Sequence, residues 1–239
     1  MIDRIENVLN AFAQNGLSDI ITKENAAKFC ELSDLLVETN KKFNLTAITN
    51  EDEIILKHFV DSATILKHIP YGASVIDIGC GAGFPSLPVA ILRSDIEVTS
   101  LDSTKKKVDF VNSAAEMLNL TNIVAVCARA EDFVVKNRQS FDICTSRAVA
   151  RLNILSELCL PYVKFGGSFV AMKSNKLSEE YNEARDGIAK LGGNLKSIEE
   201  ISLNFLSNEI SREIAIFAKT KDTPKEFPRI YSQILKRPL

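Results

Sequence analysis

The 239-residue chain predicts an α/β fold, a mostly parallel seven-stranded sheet behind an N-terminal helical cap. Two observations carry this reading. Beyond Pro70-Tyr71-Gly72, short β-rich runs alternate with helix-length stretches, the sequence form of repeated βαβ units around a parallel sheet. The last two β-rich runs lie close enough to pair as a hairpin, which finishes the sheet with an antiparallel strand.

Residues 1–70 read as helical. Ile2, Ile5, Leu9 and Phe12 recur at helical spacing, as do Phe29, Leu32 and Leu36, with Gly16 at the reversal between the two helices. A third helix is predicted from about Glu51 to Leu66. Strand runs follow at 75–79 (VIDIG), 97–102 (EVTSLD), 122–127 (NIVAVC), 141–146 (FDICTS) and 168–172 (SFVAM). Helices are predicted after the first strand to Leu92, from Thr104 to Leu118, near Asn153 to Leu160 and over Ser178–Leu191. The hairpin pairs SIEEISL (197–203) with REIAIFAK (212–219). The division that results is a helical cap (1–70), an α/β domain (71–220) and a basic tail (221–239).

Composition narrows the function. Hydrophobic residues at 46% and charged residues at 25% are the globular mixture, which excludes disordered and fibrous classes. No apolar run approaches the roughly 18–20 residues of a bilayer-spanning helix. The start, MIDRIENVLN, lacks the basic-then-apolar layout of a secretory signal, so a cytoplasmic protein is predicted. Five widely spaced cysteines include no C-x-x-C pair, and two histidines, His58 and His68, cannot build a histidine-rich metal site. The net charge of −2 divides into −4 over residues 1–70, −1 over 71–220 and +3 over 221–239. A polycation that coats nucleic acid is therefore excluded, whereas a local basic rim is not.

The sharpest motif is Asp77-Ile78-Gly79-Cys80-Gly81-Ala82-Gly83-Phe84-Pro85, where the first strand meets its helix. Glycines there let the backbone bend tightly and approach a ligand, and the helix start supplies free N–H groups. A dinucleotide loop requires a third glycine that Phe84 or Ser86 replaces, and a P-loop requires a G-K-[ST] that is absent. An acid at a strand end followed by three alternate glycines suits a ligand with an amino-acid group and a nucleoside but no pyrophosphate. S-adenosylmethionine is such a ligand; simple packing of a tight turn is the alternative.

Asp102 ends the second strand, 23 residues beyond Gly79, where a carboxylate accepts both hydroxyls of a ribose. It equally begins Asp102-Ser103-Thr104, a set of good helix caps. Glu131, in Ala128-Arg129-Ala130-Glu131-Asp132 after the third strand, contacts the adenine side or simply starts a helix. Arg147 and Lys173 end the fourth and fifth strands, placed to hold an anionic or carbonyl-bearing acceptor. His58, Asp61 and Ser62 share one helical face, suited to acid–base work or to tying that helix to a neighbour. The tail mixes Lys225, Arg229, Lys236 and Arg237 with Phe227 and Tyr231, a pattern that grips RNA or merely solubilises a terminus.

Together these stretches resemble the bacterial small-subunit ribosomal RNA guanine-N7 methyltransferases, also called the glucose-inhibited division protein B family. The resemblance rests on Asn44-Leu45-Thr46, His58-x-x-Asp61-Ser62, the Asp77–Pro85 loop and Asp102-Ser103. It continues through Arg129-Ala130-Glu131, Ser146-Arg147-Ala148-Val149-Ala150 and Lys236-Arg237-Pro238-Leu239. One departure is Ser174 after Lys173, where the family commonly has glycine. The resemblance implies a Rossmann-like class I fold, S-adenosylmethionine as methyl donor, and N7 of one guanine in 16S rRNA, or in the small ribosomal subunit, as acceptor. It implies that Gly79, Phe84, Ala130, Glu131 and Arg147 hold the donor, and that Arg147 and Lys173 engage RNA or guanine. The residues themselves add Asp77, Gly81, Asp102 and Ser103 to the donor set. A monomer with no metal and no membrane partner is expected. A small-molecule methyltransferase and a non-catalytic RNA-binding assembly factor stay open on the residues alone, and an NAD-dependent reductase is disfavoured by the broken dinucleotide motif.

Overall fold

The computed structural model describes residues 2–147, 149–174 and 176–239. Ala148, within one of the stretches that carry the resemblance, lies outside the described residues.

The predicted strands all form. They are β1 (Ser74–Ile78), β2 (Glu97–Asp102), β3 (Ile123–Cys127), β4 (Phe141–Arg147), β5 (Val163–Lys173), β6 (Gly193–Phe205) and β7 (Asn208–Lys219). They make one sheet in the order β3-β2-β1-β4-β5-β7-β6, with the first five parallel and β7 antiparallel to both its neighbours. β1 sits centrally, and its Val75, Ile76 and Ile78 are buried, as a strand covered on both faces requires. Successive strands run outward from β1 on one side and from β4 on the other. The chain therefore splits between β1 and β4, and this switch point opens a crevice at the carboxyl ends of the strands.

Several extents differ from the sequence reading. β5 begins at Val163 and the hairpin strands meet through Leu206-Ser207, so all three are longer than their apolar runs. Backbone pairing continues past the apolar residues on these strands. Helices α5 (Ser86–Leu92), α6 (Lys105–Met117), α7 (Ala130–Asn137), α8 (Leu152–Cys159) and α9 (Leu177–Lys190) follow β1 to β5 in turn; α7 is a short helix whose buried side chain is Val134 and whose periodicity is correspondingly faint.

The N-terminal helices α1 (Ile2–Gln14) and α2 (Lys23–Asn40) share one core with a face of the sheet. Thr22 starts α2 with a capping box: its hydroxyl accepts from the Asn25 N–H at 3.1 Å, and the Asn25 side chain accepts from the Thr22 N–H at 3.1 Å. Rings link this cap to the crevice. Phe12 stacks on Phe29 at 5.6 Å, Phe29 on Phe59 at 4.6 Å, and Phe59 lies 6.2 Å from Phe84 of the glycine loop.

The third helix corrects the expectation most. Instead of one α-helix from Glu51 to Leu66 there are α3 (Glu51–Ile54), a π-helical turn (Ile55–Val60) and α4 (Asp61–Ala63), followed by a 3₁₀ turn at Leu66–His68. A π turn changes the angular spacing of side chains, and such turns concentrate at functional sites. Here it carries His58 and leads into Asp61.

The tail is folded rather than extended. Its helix α10 (Tyr231–Lys236) buries Ile234, and Phe227 is buried as well. Arg229 donates from its backbone N–H and its guanidinium to Glu157, which has no exposed surface.

Candidate functional site

Two adjoining cavities occupy the crevice. The first, of about 460 Å³, is lined by the glycine loop, Asp102–Thr104, Ala128–Glu131 and Phe84, the last with its ring shared by His58 and Arg147. The second, of about 520 Å³, is lined by Lys57, Asp61, Ala150, Lys173, Glu180 and Arg212 among others. His58, Arg147 and Val149 line both.

The loop is built by backbone geometry. The N–H groups of Gly79 and Cys80 both donate to the Leu101 carbonyl, at 2.7 and 3.0 Å, which folds the chain back over the end of β2. Gly79 has φ of +72°, and a Cβ there would lie 2.5 Å from a methyl of Val149. Gly81, at φ +59°, has nothing within 4 Å of the position a Cβ would take, so its outer side is open.

Asp102 does two things at once. Its Oδ2 accepts from the Gly81 N–H at 3.1 Å and its Oδ1 from the Thr104 N–H at 2.8 Å, with the Lys107 ammonium 3.7 Å from Oδ2. The carboxylate thus braces both the glycine loop and the start of α6 (Lys105–Met117) while remaining in the cavity lining. Ser103 lines the cavity beside it.

Asp77 sits underneath and is absent from the described lining. It is fully buried; one oxygen accepts from the Ser86 N–H at 3.3 Å, and the other has no hydrogen-bond partner among the described residues. Burial pushes its carboxyl up to about 7.

At the shared wall, the Arg147 guanidinium donates to the Lys57 carbonyl and to Asp61 Oδ2, both at 2.8 Å, and to His58 Nδ1 at 3.1 Å. The other Asp61 oxygen accepts from Arg212 of β7 at 3.0 Å. The His58 ring stacks on Phe84 at 4.2 Å between centroids, and its Nε2 lies 3.1 Å from the Thr46 hydroxyl. Burial, and next the positive charge of Arg147, lowers the His58 pKa to about 3. A neutral imidazole accepting at Nδ1 carries its proton on Nε2 and donates it to Thr46. The His58–Asp61 face is therefore part of the crevice as well as a tie between helix and sheet. Ser146 holds β4 against β1, its hydroxyl donating to the Ile78 carbonyl at 2.7 Å.

Lys173 lines only the second cavity, where its ammonium donates to the Ala150 carbonyl and pairs with Glu180 at 2.8 Å. Ala130 and Glu131 lie at the opposite end of the first cavity. There the Tyr231 N–H donates to Glu131 Oε1 at 3.3 Å. Tyr231, Arg212, Val149 and Lys107 reach the crevice without having been singled out for it in the sequence. Arg212 begins an ordinary strand run, and Tyr231 is one aromatic residue in a basic tail. Among the described residues no cluster of histidine, cysteine or carboxylate side chains could hold a metal ion, and no helix is long and apolar enough to cross a membrane.

Comparison with known proteins gives a consistent answer. Residues 25–211 match the family described as GidB, rRNA small subunit methyltransferase G; the match ends before the tail. The chain is 45% identical over 216 residues to a ribosomal RNA small subunit methyltransferase G of Clostridium perfringens strain 13, covering 89% of this chain and 90% of that one. It is 44% identical over 223 residues to the protein of the same name from Desulforamulus reducens, covering 92% of each. Among solved structures, P. horikoshii TYW2 in complex with MeSAdo superposes with a TM-score of 0.55 at 16% identity, over 67% of this chain and 62% of that one. That likeness concerns the fold, a Rossmann-like sheet of methyltransferase type.

Proposed function

The chain belongs to the rRNA small subunit methyltransferase G family, and from that premise we propose that it transfers a methyl group from S-adenosylmethionine to N7 of one guanine in 16S rRNA, as a monomer in the bacterial cytoplasm. The observation that carries this reading is the shared wall. Two cavities of similar size meet at His58, Arg147 and Val149, so a donor in the first and an acceptor base in the second have a common boundary.

The residues present fit the donor. The open side of Gly81, the unpartnered buried oxygen of Asp77 and the lining carboxylate of Asp102 offer a backbone cradle, a buried acid and a diol acceptor. Asp77, Gly79, Gly81 and Phe84 are assigned to the methionyl side of the donor. Asp102, Ser103, Ala130 and Glu131 are assigned to its nucleoside side, and Arg147 to the boundary with the acceptor. When bound, S-adenosylmethionine supplies a methyl group already activated on a positively charged sulfur.

What the protein adds is position. Guanine N7 has an in-plane lone pair and no proton, so no general base is required, and neutral His58 need not act as one. Holding reactants in line supplies on the order of 7–11 kcal/mol of barrier reduction. Methylation leaves N7 positive, which an unpaired arginine would oppose; Arg147 is already paired with Asp61. Arg147, Lys173 and Arg212 make the acceptor cavity cationic at its polar edge, suited to guanine O6 and phosphate oxygens. In this assignment residues 71–220 form the methyltransferase domain, the cap (1–70) contributes His58 and Asp61, and the tail (221–239) is a third segment.

The deciding experiment is transfer of labelled methyl from S-adenosylmethionine to small ribosomal subunits lacking the modification, beside naked 16S rRNA and no RNA. Label appearing only with RNA, at a site that aniline cleaves as it does N7-methylguanine, is the expected result. Label without RNA would instead mean a small-molecule acceptor, and cofactor binding with no transfer would mean an assembly factor.

A further inference from the structure

Tyr231 lines the first cavity beside Ala130, Glu131 and Leu158, although it belongs to the carboxyl-terminal tail. We propose that Tyr231 is a cofactor-binding residue whose ring faces the nucleoside end of the methyl donor, which makes the tail a working wall of the site. The proposal rests on the methyl-donor reading of that cavity.

Three observations support it. First, the tail is anchored by groups that an idle extension would not bury. Glu157 has no exposed surface, and Arg229, two residues before Tyr231, meets it with its backbone N–H at 2.8 Å and its Nε at 2.9 Å. Desolvating a carboxylate costs several kcal/mol unless such a partner is fixed in place. Arg138 adds three more ties, donating to the carbonyls of Thr223, Pro224 and Phe227 at 2.7, 2.8 and 2.6 Å.

Second, Tyr231 itself is held in register. Its N–H donates to Glu131 Oε1, and the Arg129 guanidinium lies 5.8 Å from the centre of its ring. The tail thereby orients Glu131 as well. Third, among the described residues the nucleoside end otherwise lacks an aromatic surface. The other phenyl ring of the lining, Phe84, already carries His58 stacked upon it at 4.2 Å, at the boundary with the second cavity. A purine gains most from an aromatic face, and Tyr231 is the ring placed beside Ala130 and Glu131.

Calorimetric titration with S-adenosylhomocysteine, and with 5′-methylthioadenosine as the nucleoside fragment, tests this on the full chain. Tyr231→Leu keeps apolar bulk without the ring, and the expected loss is about tenfold in affinity for both ligands, or about 1.4 kcal/mol. Tyr231→Phe keeps the ring and should bind within about twofold of the wild type, a difference well under 1 kcal/mol. Lys225→Ala, an exposed tail position outside the lining, should do the same. Wild-type affinity in Tyr231→Leu, with an unchanged melting temperature, would reduce Tyr231 to a packing residue and overturn this inference alone. A wild-type protein that bound neither ligand would overturn it together with the methyl-donor reading. Should Tyr231→Leu melt early, Tyr231→Met, an unbranched replacement that also lacks a ring, takes its place with the same criterion.

Discussion

Arg147 donates to Asp61 at 2.8 Å, and Asp61, which has no exposed surface, passes its second oxygen to Arg212 at 3.0 Å. One buried carboxylate thus fixes two arginines that arrive on different strands, β4 and β7. The arrangement sets the direction of the Arg147 guanidinium and leaves it aimed along the boundary of the two cavities.

Arg147→Ala should abolish turnover, by more than about a hundredfold, while the far-ultraviolet circular dichroism stays that of the wild type. Asp61 keeps Arg212 in the variant, so the buried charge is not stranded, and the melting temperature should fall without loss of the fold. Arg147→Lys should not restore the rate, because one ammonium cannot reach Asp61, His58 and the Lys57 carbonyl in the same planar geometry. A variant with normal rate and normal circular dichroism would refute the assignment.

His58 should stay neutral wherever the enzyme works. Its folded pKa of about 3 lies below the ordinary value of 6.5, so between the two the unfolded chain binds the extra proton. Stability contributed by the neutral ring is complete above about pH 6.5 and drains away as pH falls toward 3. Proton NMR should show a His58 C2–H shift that does not move from pH 8 to pH 5. In Arg147→Ala, with a neighbouring positive charge gone, the titration should move upward. A His58 resonance titrating near 6.5 in the wild type would contradict the geometry.

The opposite sign holds for Asp77. Its folded pKa of about 7 lies above the ordinary 3.8, so the carboxyl favours folding below about pH 4, and that contribution is lost as pH rises to 7. Asn keeps an oxygen to accept from the Ser86 N–H and removes the buried charge. Asp77→Asn should therefore raise the melting temperature at pH 8 and leave it near wild type at pH 4. The same variant should bind S-adenosylmethionine less tightly, since the negative charge beneath the glycine loop no longer attracts the ligand's ammonium from under the cavity. Calorimetry at the two pH values, and titration of the ligand at pH 8, would separate these effects.

The sheet was legible because Val75–Ile78, Val98–Leu101 and Phe169–Met172 are short β-rich runs of strand length that alternate with helix-length stretches. The glycine loop was legible because its spacing falls at a strand end. Other features depend on distance in the fold rather than along the chain. Arg212 and Asp61 are 151 residues apart, and no local pattern joins them. The π turn at Ile55–Val60 is composed of residues that an α-helix accepts equally well, so no local pattern marks it; in the fold it carries Phe59 and His58 against Phe84. In sequence the tail reads as a basic segment that grips RNA or solubilises a terminus, because the partners of its charges lie far away along the chain. Arg229 is paired with Glu157, while Lys225, Lys236 and Arg237 remain exposed.

Comparison of two glycines should show how much of the loop is backbone conformation and how much is close approach. Gly79 and Gly72 have nearly equal dihedral angles, φ +72° and +69°. Alanine at either costs about 1–2 kcal/mol for a left-handed conformation. At Gly72 nothing lies within 4 Å of the new Cβ, so the cost should stop there. At Gly79 the Cβ would sit 2.5 Å from Val149, which lines both cavities and must move. Gly79→Ala should therefore lose cofactor affinity and methyl transfer together, whereas Gly72→Ala should lose only stability. If the two variants were equally active, the contact between Gly79 and Val149 would have no part in shaping the site.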